Sequence, residues 1–159
     1  MKIKVLGIGN ILRGDDGVGV YVVEHLRQHS RLRDTVEFVE IGMGGLDMVD
    51  VLKEADAAVI VDAIHTHDIP PGEARIFSEN EIRLKFDPKP VSLHYASVAD
   101  SLLLLEALGI RIPIHFVVVS PAKLDYQIEL SPQVQSNFKR ICEMVEELVE
   151  KIRTQFAAI

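Results

Sequence analysis

Seven of the eight residues from Ala57 to Ile64 are apolar, the exception being Asp62. A short run of this kind, with no polar alternation, reads as a strand covered on both faces. Such strands belong to parallel sheets packed between helices, because each parallel neighbour requires a crossover connection. Residues 2–9 repeat the pattern and give a first strand. Shorter runs over 35–41, 73–78 and 113–119 supply three more, and the 73–78 run, after the Pro70-Pro71-Gly72 turn, is of edge type.

Helices are expected between these strands. Val18, Val22 and Leu26 recur every four residues over 17–30 and form a core-facing stripe. A second helix, over 45–55, follows the Gly42–Gly45 turn, and a third spans 95–109 and stops at Gly109. Ser131 as N-cap and Pro132 in the first turn open the last helix. Its buried face is read as Val134, Phe138, Ile141, Val145, Leu148 and Ile152, with Cys142 at the border. Pro88 and Pro90 make 79–92 read mostly as loop. The expected fold class is α/β: a three-layer α/β/α sandwich with a twisted, mainly parallel five-stranded sheet, one domain over 1–159. In such folds the functional crevice lies beyond the carboxyl ends of the strands.

Charge and cysteine content exclude several function classes. The net charge is −7 and the basic residues are scattered, whereas proteins that track a nucleic-acid backbone need clustered cations. Arg27, Arg31 and Arg33 are close together but read as a solvated helix end. No apolar run reaches the roughly 18–20 residues that span a bilayer, so no membrane insertion is expected. The start, MKIKVLGIGN, lacks a small-residue cleavage site and reads as a buried strand, not an export signal. A single cysteine, Cys142, rules out an internal disulfide and a multi-cysteine metal site, and points to a reducing, cytoplasmic compartment. Cys142 reads as core filler, not as a nucleophile.

Three features could carry chemistry. After the first strand come Gly7-Ile8-Gly9-Asn10 and Gly14-Asp15-Asp16-Gly17-Val18-Gly19. The spacing is not GxGxxG, and two aspartates at a helix start would repel a pyrophosphate. Those aspartates can instead cap the helix or bind a cation, and one suffices for the cap. Asp62 is the second feature, since a carboxylate in an apolar strand needs either a cleft or a bonded partner. The third is a histidine. His94 precedes a helix, His65 and His67 lie in a polar loop, and His25 and His29 are one helical turn apart, able to bind metal opportunistically. His115 alternates with apolar residues as a structural group would. The residues themselves do not choose among the six. Two aspartates and one imidazole make a mixed oxygen and nitrogen set for a divalent transition ion, with positions left open for water or substrate.

Taken together, these residues resemble the hydrogenase maturation endopeptidases, the family that processes NiFe hydrogenase large subunits. The resemblance runs through Val5 to Gly19, Ile60-Val61-Asp62-Ala63, Pro71-Gly72-Glu73, Ser92-Leu93-His94 and Leu130-Ser131-Pro132. It implies removal of a C-terminal extension from the nickel-loaded precursor of a large subunit. The implied catalytic and metal-contacting residues are Asp16, Asp62 and His94, a choice of histidine that spacing does not make. The nickel would arrive with the precursor, and zinc or cadmium could occupy the same site. Whichever of Asp15 and Asp16 holds no metal is the implied general base. Where the family shows an Asp-Gly-Gly turn, this chain has Glu40-Ile41-Gly42, so the role of that acid does not transfer directly to Glu40. Two other readings are a receiver-like phospho-acceptor domain, with Asp62 as acceptor and Lys123 after the fifth strand, and a non-catalytic chaperone of the nickel precursor.

Overall fold

The computed structural model describes residues 1–42, 46–85 and 95–158. Five strands form one sheet: β1 (Ile3–Ile8), β2 (Glu37–Gly42), β3 (Ala57–Ala63), β4 (Ala74–Ser78) and β5 (Ile114–Val119). The helices are α1 (Val18–His29), α2 (Leu46–Leu52), α3 (Glu79–Lys85), α4 (Tyr95–Ala107) and α5 (Pro132–Ala157). The strand order is β2-β1-β3-β5-β4. β1 pairs in parallel with both β2 and β3, and β3 with β5, whereas β4 runs antiparallel along β5. This is the expected mixed, mainly parallel sheet, with the 73–78 strand on an edge.

Strand residues alternate between two packed layers, as the pleat dictates. Val5, Val59 and Val61 join Val22 of α1 and Val145 of α5 on one face. Leu6, Ile8 and Ile60 join Met48 of α2 and Leu102 of α4 on the other. Burying side chains on both faces, the central strands contribute about 25 cal/mol for each Å² of apolar surface they remove from water. The four-residue stripe on α1 is buried as expected, Val18 and Val22 fully and Leu26 to 1%. Ser131 caps α5, its side chain accepting from the Val134 N–H at 3.3 Å.

One element departs from the sequence reading. Residues 79–85, expected to be mostly loop, form α3. Ser78 and Glu81 explain it: the Glu81 N–H donates to Ser78 Oγ at 3.2 Å, and the Ser78 N–H donates to Glu81 Oε1 at 3.3 Å. This reciprocal capping box supplies partners for helix-start donors and outweighs the breaking effect of prolines several residues on. Pro88, Pro90, Ser92, Leu93 and His94 lie outside the described residues, as do Met43, Gly44 and Gly45.

Candidate metal and active site

The carboxyl ends of β1 and β3 meet the start of α1, and there the chain uses glycine to bring backbone against backbone. A Cβ on Gly19 would fall on the Val61 carbonyl oxygen and 2.6 Å from that of Ile8. Gly9 has φ 145°, and a Cβ there would strike the Asp16 carbonyl. A single 3-10 turn, Gly14–Gly17, links the loop after β1 to α1 and packs against β3.

Asp15 and Asp16 share this turn and do different things. Asp15 is fully buried. Its Oδ2 accepts from the N–H of Ala122 at 2.8 Å, the N–H of Lys123 at 2.9 Å and the Ser131 hydroxyl at 2.7 Å. Its Oδ1 accepts from the Ser131 N–H at 2.7 Å. Four donors saturate the carboxylate, which ties the segment after β5 and the start of α5 to the first loop. Neither expected role, helix cap or cation ligand, is what Asp15 does. The N-cap of α1 is Gly17, without a side-chain cap. Sequence reasoning missed the cross-link because its partners lie more than 100 residues away.

Asp16 is 6% exposed, and its Oδ2 accepts from the Asn10 N–H at 3.0 Å. Asn10 organises the loop: its side-chain oxygen takes the Leu12 N–H at 2.9 Å, and its carbonyl takes the Arg13 N–H at 3.1 Å. Asp62 is 2% exposed, one residue from the carboxyl end of β3 and opposite Val118 of β5. Alternation puts it on the face of Ala58 and Ile60, the side covered by α2 and α4. Because α4 leads into a strand parallel to β3, it begins at this same edge of the sheet. His94, immediately before α4, lies outside the described residues. The structure therefore brings Asp16 and Asp62 to one edge.

The other histidines separate by environment. His65 and His67 are exposed, with ring centroids 5.5 Å apart. His115 is half-buried in β5, and burial, reinforced by Lys151, lowers its pKa despite the opposing Glu81. Its place in the strand fits the structural reading. Cys142 is buried in α5, and burial followed by Glu146 and Glu143 pushes its thiol up to about 12. A thiol so reluctant to ionise is no nucleophile. Lys123 approaches the acidic turn through its backbone N–H, donated to Asp15.

Glu40, on the outer strand β2, pairs with Arg27 at 3.2 Å. It lines a trough of about 450 Å³ with Gly9, Asn10, Ile11, Leu12 and Val20. Ile11 and Leu12 are 41% and 56% exposed, and Tyr126 and Ile128, on the strip bridged to Arg13, are 87% and 65% exposed. Large apolar groups exposed near one another are a feature of interaction surfaces.

The donor set fits a divalent ion: two nearly buried carboxylates lie beside a helix start. Among the described residues no three His, Cys, Asp or Glu side chains close on one point.

A family model described as hydrogenase maturation protease matches residues 20–148. The chain is 35% identical over 147 residues to the hydrogenase 2 maturation protease of Escherichia coli, covering 91% of this chain and 88% of that protein. It is 34% identical to the hydrogenase expression/formation protein HupD of Thiocapsa roseopersicina, covering 92% of this chain and 66% of that one. Among solved structures, the hydrogenase maturating endopeptidase HybD of E. coli superposes with a TM-score of 0.86 at 32% identity, covering 95% and 93% of the two chains. The NiFe hydrogenase maturation protease HybD of Thermococcus kodakarensis gives 0.80 at 30% identity, with 93% and 99% covered.

Proposed function

This chain belongs to the hydrogenase maturation protease family, and from that premise we propose that it removes the C-terminal extension from the nickel-loaded precursor of a NiFe hydrogenase large subunit. The observation that carries the reading is the placement, at one sheet edge, of two nearly buried carboxylates far apart in sequence, Asp16 and Asp62. The exposed apolar rim of Ile11, Leu12, Tyr126 and Ile128 supports a protein-sized substrate docking beside them. A cytoplasmic, reducing location is part of the same reading and is supported by the single cysteine.

The proposed site residues are Asp16, Asp62 and His94, and the nickel they hold is the precursor's own, so it is part of the substrate. Zinc or cadmium would compete for the same oxygen and nitrogen donors. A divalent ion there supplies Lewis-acid polarisation of a carbonyl or a water. The protein's own part is to fix the carboxylates. The Asn10 N–H holds one oxygen of Asp16, and the packed strands of the sheet hold Asp62. With four donors on it, the Asp15 carboxylate serves the fold and not proton transfer. Covalent catalysis has no support here, because the sole thiol is buried and protonated.

The test is to incubate the purified chain with a nickel-loaded precursor and weigh the product. The wild-type chain shortens the precursor by its tail, and Asp16→Asn, Asp62→Asn and His94→Ala each leave it full length while remaining folded, as circular dichroism would show. Processing at wild-type rate by all three variants would overturn the site. An intact precursor with the wild-type chain would favour a chaperone, and labelling of Asp62 by a small phosphodonor would favour a receiver.

A further inference from the structure

We propose that His25 and His29 on α1 form a second site for a transition-metal ion, chemically and spatially distinct from the carboxylate edge. The two residues stand one turn apart on a regular helix, which places their side chains on the same face. Both are exposed. Their ring centroids are 4.8 Å apart and the planes are tilted by 41°. A zinc-like ion sits about 2.1 Å from an imidazole nitrogen, so each ring centre lies about 3.2 Å from the ion. Two such arms separated by about 90–110° put the ring centres about 4.5–5.2 Å apart, the range of octahedral and tetrahedral coordination. The observed spacing falls inside that range. The His65–His67 pair, at 5.5 Å, would need about 120°, outside both geometries.

The surroundings hold this pair and place an acid near it. His25 also packs edge-on against Phe138 of α5, with centroids 5.7 Å apart, which restricts its ring. The two imidazoles open onto a groove of about 430 Å³ between α1 and α5 whose walls include Glu143 and Glu146. Glu146 is anchored by the Ser30 hydroxyl, which donates to it at 2.9 Å. Lys139 lines the same groove and Arg140 pairs with Glu143 at 3.7 Å, so Glu146 is the acid that draws a divalent ion toward the imidazoles. No third protein donor completes the set among the described residues, and water fills the remaining positions. A two-imidazole site of that kind exchanges its ion and is not structural.

Distance separates it from the first site. His25 and His29 lie seven and eleven residues beyond the start of α1, which is about 10 and 16 Å along the helix axis. The inference is independent of the proteolytic reading. The probe is nickel ion added to the uniformly labelled full chain, read by paramagnetic broadening of backbone amides. Broadening is expected around 25–29 and 138–146. His25→Ala/His29→Ala should abolish it there, and either single variant should weaken it about 100-fold, since two ligands on one rigid scaffold act as a chelate. The double variant with Gln in place of Ala should behave alike, and both should melt as wild type without metal. Broadening at 25–29 that survives in both double variants, or none there in the wild type, overturns the proposal. Nickel at the ends of β1 and β3 is read from separate amides, so the two sites fail separately.

Discussion

Replacing Asp15 separates the two roles that adjacent aspartates play in the turn before α1. Asp15→Ala strips the acceptor from three N–H groups and one hydroxyl, at Ala122, Lys123 and Ser131, all within 2.9 Å of the carboxylate. Hydrogen bonds to a charged group are worth about 1.5–3 kcal/mol each, and a buried donor left unpaired costs a similar amount. Allowing for entering water and a hydroxyl that can rotate, the loss is roughly 4 kcal/mol or more, a large part of the about 5–15 kcal/mol that holds a domain together. Asp15→Asn is the sharper test. It keeps the shape and one acceptor, but turns an NH₂ toward the Ser131 N–H, and should cost about 2–3 kcal/mol. With a urea slope of about 1–3 kcal/mol per molar, the unfolding midpoint followed by circular dichroism should fall by about 1–2 M. Asp16→Asn, by contrast, should lose about 1 kcal/mol and all processing. An Asp15→Asn chain that unfolds at the wild-type midpoint yet fails to cut would show Asp15 to be a chemical group, and the division of labour would be wrong.

Other outcomes follow from the same geometry. Asp62→Asn should leave the melting temperature near wild type, because the amide fills the same volume, while the precursor stays full length by mass spectrometry. Gly19→Ala should destabilise the fold by several kcal/mol, about 3 or more, since backbone oxygens of Val61 and Ile8 occupy the space of the new methyl; a wild-type melt would refute the close approach. Cys142 should resist iodoacetamide at neutral pH in the native chain and react at once in denaturant. The folded thiol titrates near 12 and the unfolded one near 9.0, so the unfolded chain loses its proton first. Stability should therefore fall as pH rises from about 9 to 12, and Cys142→Ala should flatten that decline, measured by urea midpoints.

The legible parts of this chain are those governed by local pattern. The apolar runs at 2–9 and 57–64, the Val18-Val22-Leu26 stripe and the Ser131-Pro132 start each report burial or capping within a few residues. α3 is equally local, because Ser78 and Glu81 spell a capping box, but the prolines farther on argue for a loop. Asp62 was legible as an anomaly, a charge within an apolar strand, and the strand position follows from the pattern. The function of Asp15 was not legible. Nothing near residue 15 signals that its acceptors are aimed at 122, 123 and 131, which become neighbours only when β5 and α5 have packed. The Arg27–Glu40 pair is hidden in the same way, joining α1 to the outer strand. The groove between α1 and α5 needed coordinates too, since its two walls lie more than 100 residues apart in sequence.

The absence of a side chain at Gly19 has a mechanical consequence. Where most helices rest on a sheet through a cushion of methyl groups, this one touches the carbonyls of β1 and β3 with its own main chain. A joint of that kind has almost no compressible material and no alternative rotamers to explore. The edge that carries Asp16 and Asp62 is thus closer to an anvil than to a jaw. In the proposed reaction the adjustment of shape must come from the incoming precursor, and a tail at the end of a polypeptide is the part best able to supply it.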